Sequence, residues 1–196
     1  MFPLGAVLFP GARLPLHVFE ERYRVMMADV LAREPRAFGV VLIERGSEVG
    51  GGDVRSDVGT TAIVEHVERA ADGRYGLVVR GTTRFTVTQW LVDDPYPQAM
   101  VASIVDDPNA PRVTTAVDET AVSAVRRLDA LLSELGARPL PMSADDSPWG
   151  LCDRLPVNPL DRQRLLACDD VAARLALVTE LAEALCGDAE RLLAGG

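Results

Sequence analysis

The apolar positions of this 196-residue chain change their period along its length, and the changes divide it into regions. Two short apolar runs, Phe2–Phe9 and Leu14–Phe19, flank a Pro10-Gly11 turn signal, which predicts strand, turn, strand. From Glu20 the period becomes helical. Tyr23, Met26, Met27, Val30 and Leu31 fall at i, i+3, i+4, i+7 and i+8, one face of an amphipathic helix. Glu20 and Glu21 put negative charge at its start, where the helix dipole favours it. Phe38–Ile43 is then a continuous apolar run, the pattern of a strand buried on both faces. Arg45–Asp57 collects Gly46, Gly50, Gly51 and Gly52 among charges and reads as a loop. A phosphate loop would need a following lysine and helix, and it has neither.

Alternation returns at Thr60–Val67, and Asp72-Gly73 marks a hairpin before Tyr75–Val79. Thr83–Val92 follows Gly81, Pro95 and Pro97 interrupt, and Gln98–Val105 closes the β-rich part. Closely spaced, turn-linked strands of this kind pack best as a closed or half-closed barrel, since a single open sheet leaves edges exposed. The polar, proline-bearing stretch 106–111 then reads as a linker. Beyond it Thr115–Asp118 forms a capping box for a stripe of Ala121, Val125, Leu128, Leu132 and Leu135, ended by Gly136. Ser147-Pro148 and Asn158-Pro159 each open a short helix. Asp169 or Asp170 caps the last, with Val171, Leu175, Val178, Ala182 and Leu185 as its stripe. The fold class predicted is α+β: a barrel-like β-rich domain with one early helix over residues 1–108, then an α-helical bundle over 109–196.

Charge and residue usage narrow the chemistry. The net charge is −9 and every basic residue is arginine. An acidic chain without a basic run is poorly suited to neutralising phosphates, so nucleic acid is not an expected partner. Without lysine there is no Walker A lysine, no Schiff base and no Ser-Lys dyad. Cys152, Cys168 and Cys186 are too widely spaced for a CxxC pair and lie among apolar residues, which predicts buried, reduced thiols. The start lacks a basic n-region and carries early prolines, and no apolar run reaches membrane-spanning length. A cytoplasmic location, with no membrane partner and no cofactor, is expected.

The opening stretch also resembles a known family. Pro3-Leu4, Val7-Leu8-Phe9-Pro10-Gly11, Leu14-Pro15-Leu16, Val18-Phe19-Glu20, Arg22-Tyr23 and Met26 follow the order found in the Lon protease amino-terminal, or LON substrate-binding, domain. Gly59, Gly73, Gly81 with Arg84-Phe85, and Pro95-Tyr96 with Ala99 and Val101 continue the likeness, as do Arg162-Gln163, Leu165-Leu166, Asp169-Asp170 and Arg174-Leu175. The resemblance implies a PUA-like β pseudo-barrel and a non-catalytic role in recognising unfolded or degron-bearing polypeptide. It implies a protease or ATPase as the other partner, with a homo-oligomer left open. Because no ATPase or peptidase sequence follows about Leu185, it implies a stand-alone LON-domain protein.

Candidate site residues follow from chemistry. A peptide groove, at the seam of barrel and bundle, would use rigid aromatic anchors with polar handles, which selects Trp90, Tyr96 and Trp149, although packing in the core or at that seam accounts for the same residues. Met27 belongs to the core stripe of its helix, with a plastic apolar contact as the alternative, and Arg22 either braces a turn or offers an exposed contact from the opening motif. Arg84 is expected to brace a turn. His17 and His66, each in a strand pattern without metal-ligand spacing, would serve only the alternative of a small hydrolase. A second alternative, RNA binding, rests on the barrel type alone.

Overall fold

The computed structural model describes residues 1–46, 52–104, 115–137 and 146–195, with the backbone alone for 115–118. The chain divides into two compact units, Met1–Val105 and Asp106–Gly196.

The first unit is built on one mixed sheet of β1 (Phe2–Leu4), β2 (Arg13–Val18), β3 (Ala37–Arg45), β4 (Val54–Arg69), β5 (Tyr75–Trp90) and β6 (Ala99–Ile104). Helix α1 (Glu21–Leu31) lies between β2 and β3 in sequence. The order across the sheet is β1-β3-β4-β5-β2, with β6 also on β5. β1 runs parallel to β3, and the other pairings are antiparallel. β5 is long enough to serve two partners on one edge. Its first half pairs with β2, Tyr75 opposite Val18, and its second half with β6, Trp90 opposite Ala99. Register shifts at Thr60/Ala62 and Val64/His66, and two more between β3 and β4, are bulges that sharpen the twist and curl the sheet into a half-barrel.

The strand pattern is simpler than alternation predicts. Tyr75–Val79 and Thr83–Val92 are one strand because Gly81 is not a break. A Cβ there would stand 2.2 Å from the Phe9 carbonyl oxygen, so the glycine admits close passage of the Pro10-Gly11 turn. Hydrogen bonds from Gly11 N–H to the Gly81 carbonyl and from Gly81 N–H to the Ala12 carbonyl, both 2.9 Å, fix that approach. The run Phe2–Phe9 is laddered only over Phe2–Leu4, although Val7, Leu8 and Phe9 are buried. β4 begins at Val54, inside the loop expected over Arg45–Asp57.

Gly59 serves close packing too. A Cβ on it would lie 2.4 Å from the Val40 oxygen and 2.6 Å from the Phe85 ring, whose edge also crowds Gly39. Phe85 thus fills space those glycines leave open. The Asp72-Gly73 turn forms as predicted, with Gly73 at φ +84° and the Ala70 N–H bonded to the Arg74 carbonyl at 2.9 Å. Tyr23, Met26 and Met27 of α1 are buried, and the Phe2 ring meets Tyr23 edge-on at 4.4 Å and Phe38 at 5.9 Å.

The second unit holds α2 (Thr115–Glu134), α3 (Pro148–Arg154), α4 (Pro159–Ala167) and α5 (Val171–Ala194). Helix α2 packs along α5, burying Ala121, Val125 and Leu128 of one with Leu175, Val178, Ala182 and Cys186 of the other. The helix starts follow the sequence signals. Ser147 Oγ accepts from Gly150 N–H (3.1 Å), Asn158 Oδ1 from Leu160 N–H (2.9 Å), and Asp170 Oδ1 from Ala173 N–H (2.7 Å). Gly136, at φ +72°, follows the end of α2, while the capping side chains expected at Thr115–Asp118 lie outside the described residues. Among the described residues no helix is long and apolar enough to cross a membrane.

Candidate functional site

Strand β2 alternates so that Leu16 and Val18 face inward while Arg13, Pro15 and His17 face out. Phe19, the next residue, continues the outward phase and is 56% exposed, whereas Phe2, Phe9, Phe38 and Phe85 are all buried. It stands between two depressions. One, of about 230 Å³, is bounded by Phe2–Leu4 of β1, Leu14–Val18 of β2 and Tyr23. The other, of about 420 Å³, runs from His17 and Val18 to Glu68–Ala70, Asp72 and Arg74–Gly76. The first has a largely apolar wall. The second is rimmed by both charge signs, with Arg74 paired to Asp72 at 2.6 Å and the Arg69 guanidinium 5.6 Å from the Tyr75 ring centre. An exposed aromatic between an apolar hollow and a charge-balanced one can take apolar side chains while a polar backbone passes along the rim.

The residues that chemistry singled out lie elsewhere. Trp90, half-buried at the far end of β5, packs on Val41, Phe85 and Val87. Its indole N–H donates to Asp57 Oδ1 (3.3 Å), and the Arg55 guanidinium sits 5.0 Å from its ring centre. Arg55 also binds Asp53 at 2.7 Å and Asp93 at 2.8 Å. Burial pushes the Asp53 carboxyl up, but its hydrogen bond from Arg55 prevails and holds it below the ordinary value of 3.8. Tyr96 donates its hydroxyl to Asp29 Oδ2 at 2.7 Å, and burial followed by that bond raises the phenol. The Met1 amine donates to the Pro97 carbonyl at 2.7 Å and is pushed down to about 6, chiefly by burial. Trp90, Tyr96 and Pro97 therefore fasten the segment that joins β5 to β6.

Arg22 pairs with Glu20 at 3.2 Å and lies 4.6 Å from the Tyr23 ring centre, while burial drives the Tyr23 phenol up to about 12. Met27 is fully buried at 0% exposure. Its position on α1 faces the core as the helical stripe predicts, which removes the alternative of a surface contact. Trp149 belongs to the helical unit, where the Arg174 guanidinium lies 3.6 Å from its ring centre and donates to the Cys168 carbonyl at 2.7 Å. Neither depression is lined by any of the five residues. Arg84 is 2% exposed within β5, opposite Thr60 in register.

Phe19 is the residue that sequence reasoning missed. Its signal was the alternation of β2, which puts it in phase with Pro15 and His17.

The remaining chemistry is sparse. His17 and His66 are exposed, His66 lying 3.2 Å from Glu68. Among the described residues no cluster of histidine, cysteine and carboxylate is fit to hold a metal. The cysteines are free thiols. Cys152 and Cys186 are buried, and burial drives Cys152 up to about 12, but Cys168 is only half-buried, so the expectation of three buried thiols fails there.

Comparison with known proteins gives a consistent answer. The model of the ATP-dependent protease La (LON) substrate-binding domain matches residues 1–184. The Lon protease of Anaeromyxobacter dehalogenans is 29% identical over 192 residues, covering 90% of this chain and 22% of that protein. For the Lon protease of Roseiflexus castenholzii the figures are 30% over 190 residues, 93% and 23%. The chain thus spans less than a quarter of the length of these curated relatives. The solved Lon N-terminal domain protein of Xanthomonas campestris superposes with a TM-score of 0.60 at 30% identity, covering 89% of this chain and 92% of that one. The N-terminal domain of Lon protease from the Mycobacterium avium complex, at 21% identity, shares the fold with a TM-score of 0.62 over 92% and 96%.

Proposed function

We propose, given that the chain belongs to the ATP-dependent protease La (LON) substrate-binding domain family, that it is a non-catalytic recognition module for unfolded or degron-bearing polypeptide segments. The observation that carries this reading is Phe19, exposed between two depressions beside β2. An extended segment lays apolar side chains against Phe19 and into the hollow beside β1, with its polar backbone toward the charged rim. Phe19 supplies a rigid apolar anchor at low entropic cost. The absence of lysine from the sequence agrees with a role that binds without cutting, because no Ser-Lys dyad can be assembled. A protease or ATPase partner receives the bound segment. The module works in the cytoplasm, where its thiols stay reduced.

The test is a fluorescence-polarisation titration against a labelled, permanently unfolded polypeptide, with its folded parent as control. Saturable binding to the unfolded form alone is expected. Equal binding to both forms, or to neither, defeats the reading.

A further inference from the structure

β2 is an outer strand of its sheet, and Gly81 fixes which of its backbone groups face outward. The Gly81 N–H donates to the Ala12 carbonyl and its carbonyl accepts from the Gly11 N–H, so both point toward β2. Peptide groups alternate sides along a strand. Val79, Leu77 and Tyr75 therefore point the same way, and they stand opposite Leu14, Leu16 and Val18. Arg13, Pro15 and His17 turn their backbone groups to the other side, where β2 has no partner strand among the described residues. Most of that edge is guarded. Pro15 has no N–H, and Arg13 carries a charge, paired to Glu65 at 2.7 Å. His17, nearer the end of the strand, keeps both its N–H and its carbonyl on the open side, two residues from the carbonyl of Pro15.

The unguarded part of this edge coincides with the hollows. His17 lines both of them, and Phe19 follows two residues on. One donor and two acceptors set at the two-residue repeat of a strand are matched by extended polypeptide backbone. A folded protein keeps most of its backbone groups paired in its own secondary structure, whereas an unfolded segment offers them all. Resting on the recognition role proposed above, we infer that the bound segment adds to β2 as a short further strand. It donates to the His17 and Pro15 carbonyls and accepts from the His17 N–H. Main-chain bonds of this kind hold a segment whatever its sequence, while Phe19 and the hollow beside β1 select an apolar side chain. Pro15 confines the added strand to this stretch and blocks the longer edge pairing that leads to aggregation.

Residue-resolved amide exchange by NMR, with and without a saturating, permanently unfolded polypeptide, tests the pairing. The His17 amide should exchange fast in the free chain and about tenfold or more slowly in the complex, whereas the Leu16 and Val18 amides, bonded into β5, should be protected in both. His17→Pro removes the donor without breaking a ladder bond, as Pro15 does at its own position. It should lower affinity for the same polypeptide about tenfold or more in a polarisation titration. Saturable binding that leaves the His17 amide in fast exchange overturns the inference, as does a folded His17→Pro variant that binds like the wild-type chain. Either result leaves polypeptide recognition standing. No binding by the wild-type chain overturns both. Should His17→Pro not fold, the exchange measurement on the wild-type chain decides alone.

Discussion

The two ends of β5 carry aromatic residues in opposite circumstances. Near Tyr75, Phe19 has no polar handle and stands exposed beside two hollows. Near Trp90, the indole N–H goes to Asp57, and the Tyr96 hydroxyl of the segment beyond goes to Asp29. An aromatic with a donor can be drawn into structure by a distant carboxylate. One without a donor is held only by burial, so an exposed phenyl ring flanked by two hollows stays free to take a ligand. The Trp90 end is a fastening and the Phe19 end a surface. Variants should therefore separate stability from binding along a single strand.

The largest loss of stability is expected for Arg55→Ala, which strands the 4%-exposed carboxylate of Asp53 and releases Asp93. About 2–3 kcal/mol, read from urea denaturation, is expected, because removing one member of a largely buried pair leaves the other uncompensated. Acid attacks the same fastening. The folded pKa of Asp53 lies below its ordinary 3.8, so the stability it contributes is complete above that value and drains away as pH falls through the lowered one. Arg55→Ala should flatten this acid limb. If the limb is unchanged in the variant, Arg55 is not what holds Asp53 ionised.

Tyr96→Phe comes next, at about 1 kcal/mol, for the loss of one hydrogen bond to a carboxylate. Trp90→Phe should cost about 0.5–1 kcal/mol, since the phenyl ring keeps much of the packing but loses the Asp57 bond. Neither change should alter polypeptide affinity. A fall in affinity with either would show that the fastened end also touches ligand.

What was legible in the sequence is what local chemistry decides. The α1 stripe, the Asp72-Gly73 turn and the caps at Ser147, Asn158 and Asp170 depend on neighbours within a few residues. Gly81 misled because a glycine that makes room for a distant backbone looks the same as one that ends a strand. The fastening of Trp90 and Tyr96 was not legible, because the carboxylates they bond lie 33 and 67 residues away in sequence. Met27 followed its helical stripe into the core. Phe19 could be placed on the outward face of β2 by alternation, but the hollows on either side depend on β1 and on the β4–β5 turn, which only the folded sheet brings together.

Phe19→Ala should have the smallest effect on stability, within about 0.5 kcal/mol, because the ring is mostly in solvent. It therefore gives the most direct test of the proposed binding surface. We would titrate Phe19→Ala, Trp90→Phe and the wild-type chain against the same labelled unfolded polypeptide. The account predicts about tenfold or greater loss of affinity for Phe19→Ala, as expected for removing one well-covered aromatic anchor, with Trp90→Phe equal to wild type. Equal affinity for Phe19→Ala and the wild-type chain would contradict it and move the binding surface away from β2.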